Sequence, residues 1–335
     1  MLSRDLGGIQ KAFLNYSNML TNAGNDVLNI TSENSQITQE YKNSDQGEQI
    51  KNLCQWDVYS IFQLRKIFKN FNPDCIIAHT SRAIKFSHYA RLYTGYKLIS
   101  AAHNYNYKWF KKSDYVFSIT QHLADFLQRK KIPQDRIYIV GNSLEITRSF
   151  QVKDFSKVIT LGTLSRLVPQ KGLDIFLHSI LLLQQRGGDF KVVIGGDGQQ
   201  RIELEKLVQK LSLRNVEFIG WVKDKDQFFD KIDIFCLPSL IEPFGIVTLE
   251  AMMHSTPIIA SKSAGPSQNI SDGFSGLLCK LGDAQDMAEK IWLLSRKPDL
   301  AKSLARNAYA CLTDNFSAQI IQNTLNNHLK HICSK

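Results

Sequence analysis

No run of about 18 apolar residues occurs anywhere in this 335-residue chain, so no segment reads as a helix long enough to cross a bilayer. The opening residues MLSRDLGGIQ lack the apolar core of a secretory signal, and a cytosolic protein is expected. Cysteine is sparse in pattern as well as in number. Cys54, Cys75, Cys236, Cys279, Cys311 and Cys333 are widely separated with no C-x-x-C pair, which argues against a disulfide framework and against a zinc site. There is no H-E-x-x-H, no carboxylate cluster at metal-ligand spacing and no readable Ser-His-Asp order, so neither a metal nor another cofactor is expected. A nucleic-acid module is missing too, and nucleic acid is not an expected partner.

What the chain does contain is enough apolar residue, 43%, to build two cores of ordinary size. It also carries a formal charge of +10 that is unevenly spread. Residues 1–150 hold 19 Lys plus Arg against 12 Asp plus Glu, a surplus of 7, while the remainder holds 22 against 19, a surplus of 3. Part of the excess falls on an aromatic and basic run, Tyr105 to Lys112 (YNYKWFKK), a composition suited to an anionic membrane surface as well as to a solvated basic face.

Periodicity divides the chain into two alternating β/α series. In the first, a glycine turn at Gly7-Gly8 leads into a helix to about Ala23, followed by strand VLNIT, a polar loop over 32–52, and a helix from about Val58 to Phe71 with Asp57 as N-cap. Strands DCIIAHT and KLISAAHNY then deliver His79 and His103 to their C-terminal ends. Residues 144–157 show no sustained pattern and read as a linker. The second series runs from VITLGTLSR through IDIFCLP to GLLCK, and the last 30 residues read as helical. The expected fold is α/β, two doubly wound Rossmann-like domains facing a cleft. The expected boundaries are 1–148, 149–315, and a C-terminal helix over 316–335 that packs back on the first domain.

In open parallel sheets ligands bind beyond the strand C-termini, and the polar residues at those ends are the site candidates. Glu242 follows IDIFCLP in a loop, and Pro243-Phe244-Gly245 leads into a helix starting near Ile246 that contains Glu250. The free N–H groups and positive dipole end of such a helix favour an anion, and the carboxylates favour hydroxyls. Arg166 and Lys171, in SRLVPQKG between a strand end and a helix, suit two adjacent phosphates. Gly195-Gly196-Asp197-Gly198 occupies another strand-to-helix turn, where the backbone either passes close to a neighbour or bends sharply.

In this order, SRLVPQKG, GGDG, FIGWV and PSLIEPFGIVTLEAM resemble the retaining glycosyltransferases of family 4, which have the GT-B fold. The likeness is strongest over residues 158–294 and looser over GGIQ, PDCIIAH and VGN in the first half. It implies a UDP-, GDP- or ADP-sugar donor and a glycan or glycolipid acceptor, with no metal needed for transfer. Carried over by position, Arg166 and Lys171 would hold the diphosphate, Glu250 the ribose and Glu242 the donor sugar. Phe244, Gly245 and Ile246 would offer amides, Trp221 and Val222 would hold the base, His103 would lie near sugar and acceptor, and Gly8 would approach the donor from the first domain. Glu242 and His103 are thus the catalytic candidates. One departure stands out: such enzymes begin with an apolar strand before the glycine pair, and here only MLSRDL precedes it, so a central strand is expected to be missing.

The resulting expectation is a hexosyltransferase of cell-envelope glycan synthesis, peripheral on the inner face of the membrane. The alternatives are a nucleotide-sugar-binding protein without transferase activity, a GT-B epimerase and a two-domain solute-binding protein.

Overall fold

The computed structural model describes residues 1–2, 8–33, 35, 47–51, 57–92 and 94–334. Two compact units form, one from Met1–Ser143 with Ala318–Lys335 and one from Leu144–Ser317.

The first unit opens with α1 (Gly8–Asn22), β1 (Asn29–Ser32), β2 (Gly47–Ile50), α2 (Val58–Phe71) and β3 (Cys75–Ala78). It continues with α3 (Ser81–Ala90), β4 (Lys97–Ala102), β5 (Tyr115–Ser118), α4 (Gln121–Arg129) and β6 (Ile137–Ile139). The Asp57 carboxylate accepts from Ser60 N at 3.1 Å and so caps α2 as expected. The expectation of an unbroken loop over 32–52 is corrected: Gly47–Ile50 pairs in parallel with Asn29–Ser32. That strand, GEQI, has only Ile50 buried, which is why it carries no apolar signal. Gly7, most of that loop and Cys54 lie outside the described residues.

Strands β3, β4, β5 and β6 form a second parallel sheet. Among the described residues no strand pairs with the outer edge of β3 or with the edge of β1 opposite β2. A cavity of about 420 Å³ is lined by both edges, through Asn29 and Ile30 on one and Ile76 and Ile77 on the other, and by Tyr16 of α1 and Phe68 of α2. The Tyr16 hydroxyl is buried there without a hydrogen-bond partner. The Met1 amine donates to the Ile30 carbonyl at 2.5 Å, and burial lowers its pKa to about 5.

The second unit runs β7 (Thr160–Leu164), α5 (Leu173–Gln185), β8 (Lys191–Gly195), α6 (Arg201–Lys210), β9 (Val216–Gly220), α7 (Lys225–Asp230) and β10 (Ile234–Leu237). Then follow α8 (Ile246–Met253), β11 (Ile258–Ser261), α9 (Ala264–Asn269), β12 (Leu277–Cys279), α10 (Ala284–Arg296) and α11 (Pro298–Asn315). Its six strands are all parallel in the order β12-β11-β10-β7-β8-β9. Strand β10 is buried at every position, and Phe176, Leu177, Ile194, Ile234 and Ile259 fill the core around it. The order reverses between β7 and β10, so the crevice at this switch point opens between their C-terminal ends.

Residues 144–157 are tied down rather than free. Gln151 N donates to Ser255 Oγ at 3.0 Å, Lys153 Nζ to the Phe229 carbonyl at 2.8 Å, and Ser156 N to Asp233 Oδ1 at 3.0 Å. After α11 the chain ends in α12 (Ala318–Cys333), which returns to the first unit and packs Ile321, Leu325, Leu329 and Ile332 against Tyr16, Met19 and Leu20.

Candidate active site

The second unit gathers most of the candidate residues at the β7/β10 switch point. The turn after β7 carries Arg166, exposed to solvent, and Lys171, half-buried. The loop after β10 is fastened to it by backbone bonds: Leu240 N and Ile241 N both donate to the Gln170 carbonyl, at 2.9 and 3.1 Å. Gly172 makes the contact close. Its φ is +61°, and a Cβ there would lie 2.4 Å from the Pro238 carbonyl oxygen. With the two loops locked together, Lys171 Nζ reaches Glu242 Oε2 at 2.6 Å, with only 15% and 12% of the two side chains exposed.

Behind Glu242 the chain enters α8 through Gly245, whose φ of +83° turns the backbone into the helix. Phe244 is buried, and Ile246 and Val247 are half-exposed in the first turn. This entry is braced from behind by α9. Gly265 N donates to the Glu242 carbonyl at 2.8 Å, Asn269 Nδ2 donates to the Phe244 carbonyl at 2.7 Å, and a Cβ on Gly265 would lie 2.4 Å from Phe244 backbone. Neither Gly265 nor Asn269 was legible as a site support, because each holds a backbone carbonyl of the loop, and no residue type reveals that partner.

Glu250 is on α8, almost fully buried, and Lys225 Nζ of α7 meets its Oε1 at 2.5 Å. Sequence reasoning missed Lys225; its position three residues beyond the Trp221-Val222 turn is the available signal. That turn exposes 63% of Trp221 and joins the glycine loop next to it, since Gly196 N donates to the Gly220 carbonyl at 2.7 Å. The 195–198 glycines serve a close backbone approach, and the neighbour is the Arg166 loop. A Cβ on Gly196 would lie 1.8 Å from the Ser165 carbonyl oxygen and one on Gly198 2.5 Å from that of Leu167. The unit therefore carries Arg166, Lys171, Trp221, Val222, Glu242, Phe244 and Gly245 on neighbouring loops, with Ile246 and Glu250 on α8.

His103 and Gly8 belong to the first unit. Gly8 opens α1 and is exposed. His103 follows β4 and stacks on His79, which follows β3, with ring centroids 5.2 Å apart and His79 Nδ1 3.0 Å from His103 Nε2. Burial drives His103 down to about 4 and His79 well below the ordinary imidazole range. Both rings are neutral at pH 7, so His103 can offer a hydrogen bond but no fixed positive charge. Among the described residues no group of His, Cys, Asp and Glu could hold a metal ion.

Comparison with known proteins decides the family. The model for glycosyl transferases group 1 matches residues 145–310, and that for glycosyltransferase family 4 matches residues 6–148. The chain belongs to the group 1, family 4 glycosyltransferases. It is an enzyme that transfers a sugar. Its curated relatives include an uncharacterized glycosyltransferase of Methanocaldococcus jannaschii, 28% identical over 71% of this chain and 66% of that protein. Another is the lipopolysaccharide core biosynthesis glycosyltransferase LpsE of Rhizobium meliloti, 27% identical over 77% and 76%. The chain thus spans about two thirds to three quarters of these relatives. Among solved structures, Anabaena HepE in complex with UDP and glucose matches with a TM-score of 0.84 at 18% identity, covering 99% of this glycosyltransferase and 98% of that chain. The lipopolysaccharide outer core galactosyltransferase WaaB matches at 0.82 and 18%, covering 98% and 97%. These likenesses show two α/β domains with parallel sheets in the GT-B fold. No described helix is long and apolar enough to cross a membrane.

Proposed function

We propose that this glycosyltransferase retains anomeric configuration while moving a hexose from a UDP-sugar to a lipid-linked or polysaccharide acceptor of the cell envelope, at the inner membrane face. UDP is favoured over GDP and ADP because HepE is described with UDP, with UDP and glucose, and with UDP-glucose. The envelope acceptor is favoured by relatives named for lipopolysaccharide core and capsular polysaccharide synthesis.

The observation that carries the reading is the Lys171–Glu242 pair held beside the entry to α8 by the shared Gln170 carbonyl. A diphosphate against the α8 entry would meet Lys171 and Arg166 as cations, together with the unpaired amides of the first helical turn. As the bond from the anomeric carbon to the phosphate oxygen breaks, negative charge grows on the leaving diphosphate and positive charge on the sugar ring. Lys171 and Arg166 stabilise the first and Glu242 the second. The departing phosphate oxygen takes the acceptor proton, the acceptor oxygen bonds to the same face, and Glu242 orients the sugar without forming a covalent bond. Glu250, held by Lys225, accepts from the ribose hydroxyls, while neutral His103 donates to a sugar hydroxyl.

The test is a donor screen with wild type, Glu242→Ala and Lys171→Met, reading nucleotide binding and diphosphate release separately. Release from one UDP-sugar should fall at least a hundredfold in both variants, with nucleotide binding weakened mainly in Lys171→Met. Unchanged release in Glu242→Ala would refute the assignment. Binding with no turnover in any acceptor extract would favour a nucleotide-sugar-binding protein.

A further inference from the structure

Helix α2 buries one side well and leaves the other in an unusual state. Ser60, Leu64 and Phe68 face the interior of the first unit. On the outside, Val58, Tyr59 and Phe62 are 60%, 63% and 64% exposed, side chains that burial would ordinarily claim. Arg65, Lys66 and Lys69 are also exposed. At 100° per residue, these six positions fall within an arc of about 120°. Along the axis the three apolar or aromatic groups come first (58–62) and the three cations follow (65–69), while around the arc the two kinds alternate; α2 contains no acidic residue. Helix α3 packs against α2, and its Tyr89 and, just beyond its end, Leu92 are 38% and 44% exposed.

The aromatic run 105–112, which composition alone singles out, is differently disposed. Phe110 is buried, Lys111 and Lys130 lie over the Tyr107 ring at 5.6 and 5.2 Å, and Lys85 lies over Trp109 at 5.5 Å. Its Tyr107 and Trp109 rings are engaged by Lys111 of the run, by Lys85 of α3 and by Lys130 at the end of α4.

We propose that the outer face of α2 is the surface by which this protein docks on an anionic lipid membrane. The helix lies in the interface plane, Val58, Tyr59 and Phe62 enter the headgroup and acyl boundary, and Arg65, Lys66 and Lys69 meet lipid phosphates. Charge complementarity selects the partner. A protein-binding apolar stripe does not call for three cations and no acid beside it, whereas a negatively charged leaflet attracts each of them. The inference rests on the membrane side of the function proposed above, and it can fail while the donor chemistry stands.

The experiment is flotation of the full chain with vesicles of phosphatidylcholine alone and with 30% phosphatidylglycerol (about a third anionic lipid, as in a negatively charged leaflet). Wild type should float only with the anionic vesicles and be released by high salt. Each cation contributes roughly a fivefold increase in partitioning, so Arg65→Gln, Lys66→Gln and Lys69→Gln together should lower it about a hundredfold. Phe62→Ser should lower it with the charges intact. Nucleotide binding without vesicles should match wild type in every variant, which shows that the variants fold. Failure of wild type to float would overturn the proposal. So would unchanged flotation of the α2 variants, loss confined to neutralisation of Lys108, Lys111 and Lys112, or a dimer in solution that Phe62→Ser abolishes.

Discussion

The lock between the two donor-side loops can be tested at one atom. Replacing Gly172 with Ala adds a Cβ at a residue whose φ is +61° and places it 2.4 Å from the Pro238 carbonyl oxygen. The left-handed backbone costs an alanine about 1–2 kcal/mol, offset by about 0.4–1 kcal/mol from the stiffer unfolded chain. The clash is with backbone, so it cannot be relieved by a rotamer change. Separating the loops by the required ångström weakens the two bonds to the Gln170 carbonyl, each contributing about 0.5–1.5 kcal/mol. The expected destabilisation of the second unit is therefore about 2–4 kcal/mol. Displacement of Lys171 from Glu242 should also weaken nucleotide binding at least tenfold. Gly187→Ala supplies the control: its φ is +82° and a Cβ there meets nothing within 4 Å, so it should cost only about 1 kcal/mol and leave binding intact. Denaturant midpoints and calorimetric nucleotide affinities for the two variants check both parts. Equal effects of the two substitutions, or a Gly172→Ala protein with wild-type affinity, would refute the claim that this contact positions the phosphate side of the site.

Two further outcomes concern the first unit. His103 is held near 4 by burial and His79 is lowered further, whereas both return to about 6.5 when unfolded, so the unfolded chain binds more protons between those values. Stability should then fall as pH drops from 6.5 to 4, by on the order of 3 kcal/mol from His103 alone, and His103→Asn should flatten the acid limb of a midpoint-against-pH curve; a wild-type slope in that variant would contradict the assignment. Joining five apolar residues to the Met1 nitrogen should raise the melting temperature by several degrees, because the lining of the cavity offers two strand edges unpaired among the described residues and apolar helix faces. The same change converts a buried amine with a pKa of about 5 into an amide, removing a cost of about 1.4 kcal/mol at pH 7 that grows toward pH 5. Five Ser-Asp residues in the same place should do neither, and equal melting temperatures for the two extensions would mean that the gap does not accept a strand.

What the sequence conveyed about this enzyme follows from how each residue acts. Glu242, Arg166 and Lys171 carry charged side chains on the loops after strand ends and Glu250 carries one in the helix that follows, and the apolar runs around them, such as IDIFCLP, read as buried strands; both are visible in one dimension. The supports of the site act through backbone. The Gln170 carbonyl joins two loops about 70 residues apart, and Gly196 matters because Ser165 backbone passes beside it, so nothing about either residue type reveals its partner. Lys225 is an ordinary lysine in the first turn of a helix until the fold sets it against Glu250. The His79–His103 stack depends on the register of β3 with β4, which pairs Ala78 with Ser100 and so sets the residues after each strand end in adjacent turns. The exposed stripe on α2 was hidden for a different reason. The apolar positions of IFQLRKIF recur at helical spacing whether they face in or out, and only burial separates Phe68 from Phe62. Periodicity gives the helix and leaves its orientation to packing; where more apolar residues exist than the inner face can hold, the surplus marks a surface that something else must cover.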